Sequence, residues 1–143
     1  MKPDFRSTLR RFCDDTKGAV AIEFVLIAPI LFAMLFGIIT LGYFIGVSHS
    51  VNQLATGAAR VSVTGLDEAE RLDFAEAYLA EAGRRYPLLA AKALNTSVTF
   101  DTNAEEGITV NVDFAIQGSI LGVANGFLGL GVTHIEGSAY LAY

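Results

Sequence analysis

The chain has 143 residues, a formal net charge of −5 and an apolar content of 52%. This length leaves room for one membrane segment and one small domain, and it excludes a multi-domain architecture. The charge is uneven, because residues 1–18 carry five basic and three acidic side chains while the remainder carries five basic and twelve acidic ones. That acidic remainder lacks the clustered Lys and Arg that phosphate binding needs, so we expect no nucleic acid among the partners.

Residues 1–18 are predicted to form a basic leader on the cytoplasmic side of a membrane. The leader has a net charge of +2 and precedes a single apolar run. A basic flank in this position stays in the cytoplasm, so the acidic remainder is expected to be exported. The single cysteine, Cys13, lies in the leader. We therefore expect no disulfide and no cysteine-based metal site in the exported part.

The apolar run that follows predicts a retained membrane anchor over residues 19–47. No charged side chain occurs from Phe24 to Val47, a stretch of 24 residues. As a helix this stretch is about 36 Å long, enough to cross a hydrocarbon core of roughly 30 Å with some tilt. A cleaved secretory signal would have a shorter apolar core, followed by a small-residue cleavage site. This run is longer than such a core, and no small-residue cleavage site follows it.

The same helix is predicted to continue as an amphipathic half over residues 48–64, ending near Val63. Its apolar residues recur at helical spacing and polar residues fall between them. The predicted buried stripe is Val51, Leu54, Ala55, Ala58 and Val61. Pro29, in the apolar half, removes one backbone hydrogen bond and is expected to kink or locally open the helix.

Residues 65–143 are predicted to form a small exported α+β domain. Asp67 followed by Glu70 has the form of a helix cap, and an apolar stripe continues to Gly83. A short helix of one or two turns is expected from Pro87 to Leu94. The stripe of the first of these helices consists of Leu72, Ala75, Tyr78, Leu79 and Ala82.

Three antiparallel strands are predicted in the rest of the domain. They cover residues 97–101, residues 108–116 with a clean alternation of apolar and polar residues, and residues 132–141. Residues 102–107 are a plausible hairpin connection. A sheet and a long helix form two layers, and we expect the amphipathic half of the first helix to complete the core.

The glycine-rich segment 118–131 is predicted to be a flexible apolar connector. It holds five glycines, but it has no Lys and therefore lacks the Lys-Ser/Thr pair of a phosphate-binding loop. Its large apolar residues indicate a partner surface, with Ile120, Leu121, Phe127 and Leu128 as its members. The alternative is that the segment folds back and covers the sheet.

Catalytic and cofactor chemistry find no support in the sequence. Only His49 and His134 are available as histidines, and no hydrolase, zinc-protease or phosphate-loop motif occurs. We therefore predict that the protein is not an enzyme and needs no cofactor. His134 and Glu136 project to one strand face and can meet Asp113 across the sheet. A metal site is conceivable there, but solvated strand polar groups explain the three residues better, and no metal is predicted.

Two glycines in the apolar run have the spacing of a helix-packing surface. Gly42 and Gly46 form a small-xxx-small pattern that lets another helix approach closely. The alternative is that they reflect the ordinary frequency of glycine in membrane helices.

The most informative motif is the stretch from Gly18 to Phe24. Glu23 is the only ionised side chain between Lys17 and His49, and a carboxylate at the centre of a membrane helix costs on the order of 3 kcal/mol. Near the cytoplasmic end of the span, Glu23 can snorkel to the headgroups. Alternatively, cleavage after Gly18 would give Ala19 an ammonium group one helical turn away, and an ammonium–carboxylate pair would then become possible.

Residues 18–29, Gly-Ala-Val-Ala-Ile-Glu-Phe-Val-Leu-Ile-Ala-Pro, resemble the prepilin signature of type IV pilin-like proteins. In detail they are similar to the TadE-like family of the tight adherence (Tad/Flp) pilus systems, as is the segment Ala58-Ala59-Arg60. The resemblance implies a type IV pilin-like fold. It also implies a prepilin peptidase site at Gly18 and Ala19, and assembly determinants at Glu23 and Phe24.

The resemblance further implies a minor pilin or pseudopilin of the bacterial inner membrane, acting in pilus assembly, adhesion and secretion. Its implied partners are the prepilin peptidase, other pilin-like subunits, the inner-membrane assembly platform and membrane lipid. The competing hypothesis is an unprocessed single-span membrane protein that displays a small extracytoplasmic binding domain. Intact-mass analysis distinguishes the two, because only the first predicts a chain that starts at Ala19.

Overall fold

A computed structural model describes residues 16–89, 94–101, 106–129 and 131–143, with side chains from Gly18 onward. The chain divides into two compact units, Met1–Ile39 and Thr40–Tyr143. The predicted leader, apart from its last residues, lies outside the described residues.

The first element is a single long helix, α1, over Thr16–Ser62. The prediction of one continuous helix is confirmed, and the helix runs unbroken through Pro29. Its large apolar side chains from Val20 to Ile39 are exposed. Among the described residues, one helix, Gly18–Ser62, is long and apolar enough to cross a membrane. This long apolar N-terminal helix fits a single-pass membrane protein.

The second half of α1 is amphipathic, as its periodicity predicted. Its buried residues are Val47, Val51, Leu54, Ala55, Ala58 and Ala59, whereas Asn52, Gln53, Thr56 and Arg60 are exposed. The predicted stripe was wrong at its last member, because Val61 is 37% exposed and Ser62 is fully buried in its place. Ser62 is accommodated because its hydroxyl donates to the Ala59 carbonyl at 2.8 Å.

Two helices follow, α2 over Glu68–Ala80 and α3 over Ala82–Arg85. The predicted cap is confirmed, since the Asp67 carboxylate accepts from the Glu70 backbone N–H at 2.8 Å. The Glu70 carboxylate in turn accepts from the Leu66 N–H at 2.7 Å. In the predicted stripe, Ala75, Leu79 and Ala82 are buried, and Leu72 and Tyr78 are half-buried.

The short helix predicted from Pro87 to Leu94 was wrong where the structure describes it. Residues 87–89 form a turn, and Leu94 is the first residue of a strand. Residues 90–93 lie outside the described part of the chain. The turn nevertheless contributes to the core, because Leu89 is 1% exposed.

Three strands form one antiparallel sheet in the order β1-β2-β3. They are β1 over Leu94–Asp101, β2 over Gly107–Ala115 and β3 over His134–Ala142. The three predicted strands are thereby confirmed. Most of the predicted hairpin connection lies outside the described residues, but Asp101 pairs with Gly107 at its two ends.

One face of the sheet and the second half of α1 share a single hydrophobic core. The alternating residues Ile108, Val110, Val112 and Phe114 of β2 are buried, together with Ile135 of β3. The helix approaches β3 closely at Gly137, where a Cβ would lie 2.7 Å from Val51 Cγ1 and 3.1 Å from the Asn52 backbone nitrogen. The two-layer α+β arrangement is therefore the observed fold.

The segment predicted to be a flexible connector contains a fourth helix, α4, over Ile120–Leu128. Ser119 caps its start by accepting from the Gly122 N–H, and Gly129, with φ of 64°, caps its end in the left-handed conformation. Gly122 has to be small, because a Cβ there would lie 2.7 Å from the Ile116 carbonyl oxygen. Ser119 therefore begins the helix, Gly122 allows its close packing, and Gly129 ends it.

Candidate assembly surfaces

The predicted processing and assembly residues all lie at the start of α1. Gly18 and Ala19 are in its first turns, and Glu23 follows Ala19 by one helical turn on the same side. The side chains of Glu23 and Phe24 are both exposed, Phe24 by 67%. The motif is thus presented on the surface of the apolar helix.

Glu23 has no partner within the described part of the chain. No Lys or Arg side chain that the structure describes lies within 4.0 Å of its carboxylate. The neighbouring surface is apolar, since Val20, Ile22, Val25 and Ile27 are each more than half exposed. A carboxylate in such surroundings needs a cationic or hydrogen-bonding partner from outside the described chain.

The two glycines of the predicted packing surface have different environments. A Cβ at Gly42 would meet nothing within 4 Å, but a Cβ at Gly46 would lie 3.0 Å from Leu88 Cδ1. Between them, the Tyr43 hydroxyl donates to the Leu88 carbonyl at 3.5 Å. Gly46 therefore packs against the chain's own α+β domain, whereas Gly42 leaves room for an approaching helix.

Helix α4 has one buried and one exposed apolar face. Leu121 is 6% exposed and belongs to the core, and Ala124 is also buried. The opposite face presents Ile120, Val123, Phe127 and Leu128, of which Phe127 is 85% exposed. Three of the four residues predicted as a partner surface are therefore exposed, and Leu121 is a core residue.

An open groove of about 390 Å³ borders the first turn of α4. It is lined by uncharged residues of α4 and of the segments that flank this helix, and the polar side chains among them include Gln117, Ser119 and Asn125. None of these lining residues supplies an acid–base pair or a charge. The groove therefore offers packing surface without the groups that catalysis requires.

Asp113, His134 and Glu136 lie together on the outer face of the sheet. Asp113 is directly opposite Glu136 in the β2–β3 pairing, and His134 is the second neighbour of Glu136 along β3. One ligand atom from each of the three lies within 4.8 Å of the other two. The prediction that these side chains share one face is confirmed.

Glu81, at the end of α2, is the centre of a charge cluster in the α+β domain. Its carboxylate accepts from Arg85 at 2.7 Å and also pairs with Arg84. The hydrogen bond from Arg85, followed by the charge of Arg84, lowers the pKa of Glu81 below its usual value of 4.5. These are neighbouring residues on exposed helical turns, so the cluster stabilises the helix end locally.

The fold, with one long apolar helix and a small α+β domain, fits a single-pass membrane protein. In a comparison with family models, residues 18–60 match the family described as TadE-like protein. The predicted resemblance is confirmed over this segment, which begins at Gly18 and ends within α1. Neither the comparison with curated proteins nor that with solved structures gave a significant match.

The match over this segment points to involvement in the Tad pilus system, and the family implies other pilus components as partners. The TadE-like family is structural and non-enzymatic in kind. Both the matched segment and the candidate assembly residues lie on α1, so the family resemblance and the unpaired carboxylate concern the same surface.

Proposed function

We propose that the protein is a minor pilin or pseudopilin of a Tad-type pilus assembly and secretion machine, processed by a prepilin peptidase and acting in pilus biogenesis and adhesion. The observation that carries this proposal is Glu23. Its carboxylate is exposed on an apolar helix, has no partner in the described chain and lies one turn from Ala19. The carboxylate also falls within the segment that matches the TadE-like family.

The proposed mechanism is charge pairing between subunits. Cleavage after Gly18 frees the amino group of Ala19 as a cation at the end of α1. That ammonium group pairs with the Glu23 carboxylate of a neighbouring subunit, which removes two uncompensated charges from an apolar environment at once. The exposed apolar side chains of α1, including Phe24, then pack against neighbouring helices, and Gly42 permits a close approach.

The proposed orientation follows from the charges of the sequence. The basic leader stays in the cytoplasm, where the peptidase and the assembly platform act on it, and the acidic domain lies on the other side of the inner membrane. Membrane lipid surrounds the apolar half of α1 until the subunit is incorporated.

Processing is tested by replacing Gly18 with valine. We expect the wild-type protein, extracted from cells that contain the peptidase, to begin at Ala19, and Gly18→Val to retain its leader. The physical reason is that a branched side chain at the scissile position obstructs the peptidase, whereas insertion depends on the apolar run. Intact-mass spectrometry of the membrane extract measures both outcomes.

A matched control is Gly37→Val, because a Cβ at Gly37 meets nothing within 4 Å. This variant should be cleaved like the wild type. Recovery of Gly18→Val as a chain beginning at Ala19 would contradict the assignment of the processing site. A wild-type protein that keeps its leader would instead favour the unprocessed single-span alternative.

We also propose the exposed face of α4, formed by Ile120, Phe127 and Leu128, as a contact surface for other pilin-like subunits. Phe127 carries this part of the proposal, since a phenylalanine that is 85% exposed beside three other exposed apolar residues is typical of an interaction patch. Leu121 belongs to the opposite, buried face of α4, where it packs in the hydrophobic core.

Phe127→Asp should separate the contact role from a core role. We expect its free energy of unfolding to stay within about 0.5 kcal/mol of wild type, because the ring is already solvated, while co-purification with other pilin-like subunits is lost. Leu121→Asp is the matched control on the buried face, and it should cost about 3 kcal/mol or more. Thermal unfolding and affinity co-purification of both variants measure these outcomes. A Phe127→Asp protein that co-purifies normally would rule out this surface.

A further inference from the structure

Three side chains of metal-binding type converge where β3 begins beside β2. Asp113 comes from β2, and His134 and Glu136 come from β3. Because β2 and β3 are paired, this arrangement is fixed by backbone hydrogen bonds. One ligand atom from each side chain lies within 4.8 Å of the other two. Tetrahedral ligands at about 2.1 Å from a zinc ion are roughly 3.4 Å from one another. Small rotations of the three side chains would bring their ligand atoms to these separations.

The Asp113 carboxylate gives an independent indication of a missing partner. Its Oδ1 atom is buried and has no hydrogen-bond partner among the described residues. A buried polar atom without a partner costs free energy, and such atoms are rare in folded proteins. A cation between Asp113 and its two neighbours would satisfy this oxygen.

His134 is held in an orientation that suits a ligand. Its Nδ1 atom lies 2.8 Å from the Thr133 hydroxyl. In the tautomer whose Nδ1–H donates to Thr133, the Nε2 lone pair is free and points towards Glu136. The Nε2 to Oε1 distance is 3.8 Å, which is too long for a hydrogen bond. A hydrogen bond on the other ring nitrogen is the usual support of a metal-binding histidine.

We propose that Asp113, His134 and Glu136 bind a first-row divalent cation of the zinc class. An imidazole nitrogen with two carboxylates suits zinc, whereas calcium and magnesium prefer sites made of oxygen alone. Three protein ligands leave one position open for water or for a carboxylate from outside the chain. The sequence alone favours solvated polar groups here. The closeness of the three ligand atoms, together with the buried Asp113 oxygen that has no described partner, favours a bound cation instead.

Such an ion would join two strands at the end of the sheet that leads to α4. The Ile116 N–H donates to the Thr133 carbonyl at 3.1 Å, directly beside His134. The ion would therefore hold together the two segments that flank α4, at the end of β2 and the start of β3. This inference concerns the sheet and stands independently of the pilin function proposed from α1.

The test is zinc titration of the full-length protein in detergent, by isothermal titration calorimetry. The protein carries Cys13→Ser and a purification tag without histidine, so that neither adds a ligand. We expect saturable binding of one Zn²⁺ per chain. His134→Gln and Asp113→Asn should each weaken binding by more than about tenfold. The matched controls His49→Gln and Asp73→Asn, at exposed positions elsewhere, should bind as the unsubstituted protein does.

Two further measurements complete the test. Thr133→Val, which removes only the support of His134, should weaken binding by about tenfold. Zn²⁺ should raise the melting temperature of the unsubstituted protein and of both controls, because it binds the folded state. It should not do so for the ligand variants. Absence of saturable binding, or equal binding by His134→Gln and Asp113→Asn, would overturn the proposal.

Discussion

Glu23→Val is expected to insert into the membrane at least as well as the wild type and to be lost from assemblies with other pilin-like subunits. Valine removes a charge that costs on the order of 3 kcal/mol at the centre of a membrane helix, so insertion becomes easier. The same change leaves the Ala19 ammonium group of the neighbouring subunit without its partner, so assembly becomes harder. The two effects have opposite signs.

Carbonate extraction of membranes measures insertion, and recovery in sheared pili or in cross-linked partner complexes measures assembly. Ile22→Val is the matched control, because it makes a small apolar change at the adjacent position and leaves the carboxylate in place. It should be inserted and assembled normally. Normal incorporation of cleaved Glu23→Val would mean that the carboxylate only snorkels to the headgroups.

The second large effect concerns stability: Gly137→Ala should lower the free energy of unfolding by about 2 kcal/mol or more. The added methyl group would lie 2.7 Å from Val51 Cγ1 and 3.1 Å from backbone atoms of α1. Backbone cannot rotate out of the way as a side chain can, so α1 and β3 must separate. For a domain of this size we expect a fall in melting temperature on the order of 10 °C.

Gly107→Ala is the matched control in the same sheet. A Cβ there would contact the far end of the Tyr140 ring, which belongs to a side chain that is 50% exposed, and not backbone. We expect a change of less than about 1 kcal/mol. Thermal unfolding of the full-length chain, followed by near-ultraviolet circular dichroism, compares the two variants. Equal melting temperatures for both would show that the contact of α1 with Gly137 does not limit stability.

Much of the fold could be predicted because its elements have strong periodicity. The apolar run and the amphipathic half that follows it predicted α1. The strict alternation from Ile108 to Phe114 predicted β2. The prediction was wrong at Val61 because spacing alone allows either of two adjacent positions to end a helical stripe. The neighbouring Ser62 takes the buried position because its hydroxyl bonds within the helix.

Helix α4 was missed because its glycines resemble those of a loop. Gly118 and Gly129 do lie in the left-handed region, as loop glycines often do. Gly122, however, is inside the helix, where its missing side chain permits contact with the Ile116 carbonyl. The sequence feature that predicts this helix is Ser119 as a cap, followed by Leu121 and Ala124 at helical spacing.

The two candidate sites also differ in how far the sequence alone could predict them. Glu23 was predictable because its distance from Gly18 is a distance along one helix. The grouping of Asp113, His134 and Glu136 depends on the register of two strands joined by a helix, and that register is settled by packing. The sequence placed all three on one face, but it did not give the separation of their ligand atoms.

The burial of α1 residues from Val47 to Ala59 has a practical consequence for anyone who wishes to produce the α+β domain alone. A fragment cut at Gly65 would begin after this helix and leave Ile108, Val110 and Phe114 facing water. An uncovered apolar sheet face with edge strands is prone to aggregation. A soluble fragment therefore has to start before Val47, and Thr40, where the second compact unit begins, is a suitable first residue.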